Sequence, residues 1–186
     1  ALPRGGGSGE GVHDTVDGCV AAARIAFNSL AEASLSKRGE IIAAIRDSMR
    51  VNGDELARLA WEETGLGRYE DKIIKNRLVT EKTPGTEALT PVATTGDDGL
   101  TLMEWAPFGV IGAITPVTQS IPTLACNIVN MGAAGNSIVF NAHPGGAKCA
   151  AEAVLAFSRA IEKETGITNL VTIVEQPSIE SFNDIC

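Results

Sequence analysis

The sequence predicts an α/β protein, and three observations carry that prediction. Apolar residues make up 44% of the 186 and aromatics only 4%, the composition of a core packed with Ala, Ile, Val and Leu. A first half with helical spacing is followed, after Pro107, by short unalternating apolar runs that alternate with helical stretches. Strand, helix, strand, helix, strand is the order of a parallel sheet with crossover helices, whose strands are apolar throughout because both faces are covered.

The elements follow in order. Residues 1–11, "ALPRGGGSGEG", read as a flexible Gly-rich linker. Residues 12–90 form a helical segment. In it Val12, Val16, Cys19, Ala23, Phe27 and Leu30 keep one buried helical face. Ser36 is placed to cap a second helix through Ile41, Ile42, Ile45 and Met49. Asp54 is placed to cap a third through Leu56, Leu59 and Ala60, with Thr64-Gly65 ending it. A fourth contains Ile73, Ile74 and Leu78, and "KTPGTEALTP" is a connection. Residues 91–106 hold "VATTG" and "LTLMEW" about a Gly/Asp turn, hence a β-hairpin, an edge feature or an oligomerisation arm. Residues 107–186 carry the parallel unit: strand Val110 to Thr115, helix Ile121 to Ala134, strand Ser137 to Asn141, helix Gly145 to Thr165 and strand Leu170 to Val174. Right-handed crossovers bring Thr115-Pro116, Asn141-Ala142 and Val174-Glu175 to one edge, where open α/β sheets bind ligands.

Bulk properties narrow the partners. A net charge of -8 argues against nucleic acid or an anionic membrane surface. No run reaches the ~18 apolar residues of a membrane span, and no secretory signal is read. Cys19, Cys126, Cys149 and Cys186 form no CxxC pair and have no His at metal-ligand spacing, so no metal site is expected and the thiols read as reduced, in a cytoplasmic setting. The chain has no initiator Met, and "SIESFNDIC" reads as the first turns of a helix, so a fragment is expected.

No G-x-G-x-x-G lies between a strand and its helix; "GAAGN" closes a helix instead. Two strand-tip stretches are better candidates. In "TPVTQSIP", Thr115, Thr118, Gln119 and Ser120 offer donors and acceptors while Pro116 fixes the backbone. Gln119 lies near a helix start, where a side-chain amide can donate to an oxyanion. The same stretch reads equally as a polar helix-entry loop. "HPGGAK" has the character of an anion-accepting turn at the start of a long helix, although a lone His143 reads first as a loop hydrogen-bonder. Cys126 and Cys149 read as core thiols rather than nucleophiles.

"ETGLGRYEDK", "TPGTEALT", "GDDGLTLMEWAPFGVIGAITP", "AAGNSIVFNAHPGGAK" and "ITNLVTIVEQPSIES", in this order, resemble the aldehyde dehydrogenase superfamily. Their wording is most similar to its coenzyme-A-acylating branch, the propionaldehyde and acetaldehyde dehydrogenases of bacterial microcompartments. The resemblance implies an aldehyde dehydrogenase-like fold, with a helical N-terminal part and hairpin before a Rossmann-like, truncated NAD- and coenzyme-A-binding unit. It implies NAD-dependent oxidation of a short-chain aldehyde to its acyl-CoA through a thioester, on a cysteine beyond this chain. It further implies a homo-oligomer inside a bacterial microcompartment, joined to the shell through a missing N-terminal segment. By resemblance, Ile114, Thr115, Pro116 and Val117 line the nicotinamide side of the cofactor cleft. Asn141, His143, Pro144 and Gly145 meet the adenosine end of NAD or coenzyme A. Gln119 stands where the branch holds an Asn that donates to the oxyanion, and its extra methylene is a departure. The competing readings are a hydrolysing aldehyde dehydrogenase and a catalytically empty nucleotide-binding or assembly module.

Overall fold

The computed structural model describes residues 10–186. Nine of the eleven residues read as a linker lie outside it. The remaining two are tied into the fold: Arg159 donates to Glu10 at 3.0 Å, and Ile173 N donates to Gly11 O at 2.8 Å.

Four parallel strands make the main sheet, in the spatial order β1-β6-β5-β4: β1 (Val12–His13), β4 (Val110–Thr115), β5 (Ser137–Ala142) and β6 (Val171–Val174). Val12 therefore opens a strand and not a helix, because its backbone pairs with Ile173. Helix α1 (Val16–Ala31) starts only after Thr15, whose hydroxyl accepts from Gly18 N. On β5, Val139 faces Cys19 and Ala23 of α1, whereas Ile138 and Phe140 face the larger core. That core is built with α2 (Leu35–Thr64), α4 (Ser120–Ala133) and α5 (Ala147–Thr165). All six residues of β5 are buried, as a central parallel strand requires.

The second and third expected helices are one continuous helix, α2. Its N-cap is Ser34 rather than Ser36, the Ser34 hydroxyl accepting from Lys37 N at 3.1 Å. Asp54 caps nothing and pairs with Arg77 at 3.0 Å. Gly53, which looks like a helix breaker, sits where α3 (Tyr69–Lys82) crosses: a Cβ there would lie 3.8 Å from Asn76 Cβ, and Asn76 Nδ2 donates to Gly53 O at 2.7 Å. The helix does end at Gly65, in the left-handed conformation at φ 63°. In α3 it is Asn76 and Thr80 that are buried, while Ile74 and Leu78 face outward.

The hairpin is present as β2 (Val92–Gly96) and β3 (Gly99–Met103), with Gly96 opposite Gly99 across the Asp97-Asp98 turn. Every residue of both strands is exposed. In the parallel unit the boundaries move slightly. The helix expected from Gly145 begins as a 3-10 turn, Pro144–Gly146, and continues as α5 from Ala147. A last short helix, α6 (Ile179–Ile185), packs beside the tip of β5. No helix among the described residues is long and apolar enough to cross a membrane.

Candidate functional site

The carboxyl ends of β4 and β5 lie side by side because they are register neighbours: Ile114 is opposite Asn141 and Thr115 opposite Ala142. The pairing runs one residue further, His143 N donating to Thr115 O at 3.0 Å. With the first turn of α6 as the facing wall, these tips enclose a cleft of about 570 Å³. Ile114, Pro116, Ile179 and Phe182 give it apolar walls, and Asn141, His143 and Ser178 bring polar groups. Thr115 also lines it; its hydroxyl is buried and has no hydrogen-bond partner among the described residues.

Of the residues expected at a cofactor site, Ile114, Thr115, Pro116, Asn141, His143 and Pro144 all line this cleft. Val117 and Gly145 are immediate neighbours: a Cβ on Gly145 would meet Val117 Cγ2 at 3.4 Å and His143 Nδ1 at 3.3 Å. His143 Nδ1 accepts from Gly145 N at 3.0 Å, so the proton of a neutral ring sits on Nε2. Asn141 is buried, and its Oδ1 accepts from Ser181 Oγ at 2.8 Å. The structure does not bring Gln119 into the cleft. It is the N-cap residue of α4 and makes no side-chain cap bond. It borders a narrow crevice with Lys72, Lys75 and Asn76 of α3, on the side of the Pro116–Ser120 loop shared with Ala57 and Ala60 of α2.

Two contributors escaped sequence reasoning. The first is α6, whose Ser178, Ile179 and Phe182 form one wall; the sequence showed a helix start there but nothing to place it. The second is Glu63. Its carboxylate accepts from Lys148 N at 2.9 Å and Cys149 N at 2.7 Å, and so caps α5 from the last turn of α2. The expected anion-accepting turn at "HPGGAK" is therefore already filled by the protein's own carboxylate. Hydrogen bonds to a charged acceptor carry about 1.5–3 kcal/mol each. Glu63→Ala is expected to lower stability by about 2 kcal/mol and the melting temperature by roughly 4–8 °C. Glu63→Gln, which keeps an acceptor, loses less. An unchanged thermal melt in Glu63→Ala would show that solvent replaces the carboxylate.

The cysteines behave as core thiols where they are buried. Burial pushes the Cys19 thiol up to about 11. Burial, then the Glu63 carboxylate, pushes Cys149 up to about 12. Cys149 donates to Gly146 O at 3.3 Å, which holds it in place as a protonated thiol. Cys126 is half-buried on α4 and Cys186 is exposed.

The aldehyde dehydrogenase family model matches residues 9–181. The chain is similar to the acetaldehyde dehydrogenase (acetylating) of Bilophila wadsworthia, at 43% identity over 175 residues, covering 94% of this chain and 36% of that protein. It is similar to the propanal dehydrogenase (CoA-propanoylating) of Salmonella typhimurium at 39% identity, covering 93% and 37%. Among solved structures, Rhodopseudomonas palustris propionaldehyde dehydrogenase with bound CoA and an acylated cysteine superposes with a TM-score of 0.91 at 45% identity, covering 94% of this chain and 40% of that one. The propionaldehyde dehydrogenase of the Clostridium phytofermentans fucose utilisation bacterial microcompartment superposes with a TM-score of 0.90 at 44% identity, covering 92% and 40%. The chain thus spans little more than a third of the length of the curated relatives it matches.

Proposed function

The chain belongs to the aldehyde dehydrogenase family, and from that premise we propose that it is the cofactor-binding part of a coenzyme-A-acylating aldehyde dehydrogenase. The whole protein oxidises a short-chain aldehyde, acetaldehyde or propionaldehyde, to its acyl-CoA. The observation that carries this reading is the cleft at the tips of β4 and β5, facing α6, in a chain whose relatives by name are acetylating and CoA-propanoylating.

The residues present suit an adenosine-bearing ligand. Ile179 and Phe182 offer apolar surface to a flat base beside the turn after β5, His143 Nε2 and Ser178 offer polar contacts at its edges, and Ile114 and Pro116 line the side expected to meet the nicotinamide. Thr115 keeps a buried hydroxyl without a partner among the described residues beside the same space. NAD and coenzyme A share this cleft in turn; bound there, NAD supplies the hydride acceptor and coenzyme A the thiol that accepts the acyl group. The chain's own residues do the holding: Pro116 keeps the loop rigid after β4, and the His143–Gly145 hydrogen bond fixes the turn after β5. The nucleophilic cysteine lies outside this chain; of the thiols within it, Cys19 and Cys149 are buried in the core. Gln119 is the oxyanion donor, acting on the face of the loop away from the cofactor cleft.

A shared cleft has a direct test. In the whole protein Gly145→Trp is expected to weaken NAD and coenzyme A together, because any side chain there presses on Val117 and His143. Equilibrium binding of each ligand, measured separately, decides it. Loss of one affinity with the other intact would refute sharing, and no change in either would remove the turn from the site.

We also propose a homo-oligomer housed in a bacterial microcompartment and joined to its shell through a segment preceding the Gly-rich start. This rests on the microcompartment origin of a similar structure. The exposed apolar hairpin, with Leu100, Leu102 and Trp105 uncovered, supports a role in assembly.

A further inference from the structure

Asn141 stands at the cleft, yet its side chain turns away from the role of a ligand contact. Only 3% of the residue is exposed. Its Oδ1 accepts from Ser181 Oγ at 2.8 Å, a bond between the tip of β5 and the first turn of α6. Ser181 is also the third residue of α6 and the centre of its start. Ser181 N donates to Ser178 Oγ at 3.1 Å, and Ser178 N donates to Ser181 Oγ at 2.8 Å. The two residues that follow Ser178 and Ser181, Ile179 and Phe182, are 82% and 42% exposed, and the apolar packing of α6 lies at its far end, where Ile185 meets the core. At its first turn the link to β5 is the Asn141–Ser181 bond.

We propose that Asn141 is a positioning residue: through Ser181 it clamps the first turn of α6 to the end of β5 and so sets the width of the cleft between Ile114–Pro116 and Ile179–Phe182. This rests on the reading of the cleft as the NAD and coenzyme A site, and it assigns Asn141 a part other than touching the ribose. A wall set by one buried hydrogen bond gives both adenosine ligands the same gap. Losing the bond lets α6 drift, and both bind more weakly. A net hydrogen bond contributes about 0.5–1.5 kcal/mol, which corresponds to roughly a 2- to 10-fold loss of affinity.

The experiment uses the whole protein as wild type, Asn141→Ala, Ser181→Ala, the double variant, and Ser181→Thr, which keeps the hydroxyl. Dissociation constants for NAD and for coenzyme A are measured alongside hydrogen–deuterium exchange of the amides from 179 to 183. Expected are a 2- to 10-fold weakening of both ligands in Asn141→Ala, faster exchange across that turn without ligand, no further loss in the double variant beyond the worse single, and near wild-type behaviour in Ser181→Thr. If Asn141→Ala weakens binding while exchange stays slow and Ser181→Ala binds normally, Asn141 touches the ligand and the clamp is refuted. Unchanged affinities in Asn141→Ala, with wild type binding both ligands, also overturn it. Failure of wild type to bind either ligand instead removes the cofactor-site reading, and exchange at 179–183 still reports whether the clamp exists.

Discussion

In the whole protein, Gln119→Ala is expected to lower turnover by on the order of 10²–10³ while NAD affinity changes little. When a thiolate adds to an aldehyde, the carbonyl oxygen takes on the charge, and a preorganised amide N–H is most effective at that moment. Gln119 is suited to this by position. It is exposed at the entrance of α4, makes no side-chain cap bond, and stands across the Pro116–Gln119 loop from the cleft at the tips of β4 and β5. The positive end of α4 lies next to it, so a negative oxygen there meets a favourable field. Lys72 and Lys75 border the same crevice and add to it. Gln119→Asn, one methylene shorter, is expected to keep or raise turnover. Steady-state kinetics with a parallel NAD titration separate the outcomes. Full turnover in a folded, NAD-binding Gln119→Ala protein would assign the donor role to a backbone N–H or to Thr118.

The parallel unit was legible in the sequence because its signals are local. Val110 to Thr115 and Ser137 to Asn141 are apolar runs of strand length, and the turn residues Thr-Pro and His-Pro fall at their tips. Those signals brought the tips Thr115-Pro116 and Asn141-Ala142 to one edge, and the family resemblance added Ile114, His143 and Pro144; all six line one cleft. What stayed hidden depends on contacts distant in the chain. Gly53-Asp54 has the appearance of a helix break, and only the crossing of α3 explains a glycine inside α2. Val12 fits a helical face by spacing, but its backbone is claimed by Ile173, 161 residues on. Glu63 reads as one charge in a polar turn, and its capping of α5 spans 85 residues. The Asn141–Ser181 bond spans 40, so no local pattern could show that the Asn141 side chain is tied to α6.

Alkali is expected to destabilise the fold steeply, and the buried thiols set the slope. Cys19 and Cys149 ionise in the native chain only at about 11 and about 12, against an ordinary value of 9.0. The unfolded chain therefore releases two protons above pH 9 that the native chain retains, so unfolding is favoured as pH rises. The stabilisation is whole below pH 9 and is lost progressively up to the native values. Each thiol contributes a slope of up to about 1.4 kcal/mol per pH unit. Between pH 8 and pH 10 the pair should remove on the order of 2–3 kcal/mol, a large share of a typical 5–15 kcal/mol. Lys72 opposes this trend: burial, with Lys75 beside it, lowers its ammonium, so it gives up its proton earlier in the native state than in the unfolded one. Urea unfolding under reducing conditions at pH 8, 9 and 10 measures the slope. In Cys19→Ala/Cys149→Ala the curve should start lower at pH 8, because two side chains are trimmed from the core, and should fall less with pH. A double variant that loses as much stability as wild type over this range would mean that groups other than these two thiols drive the alkaline transition.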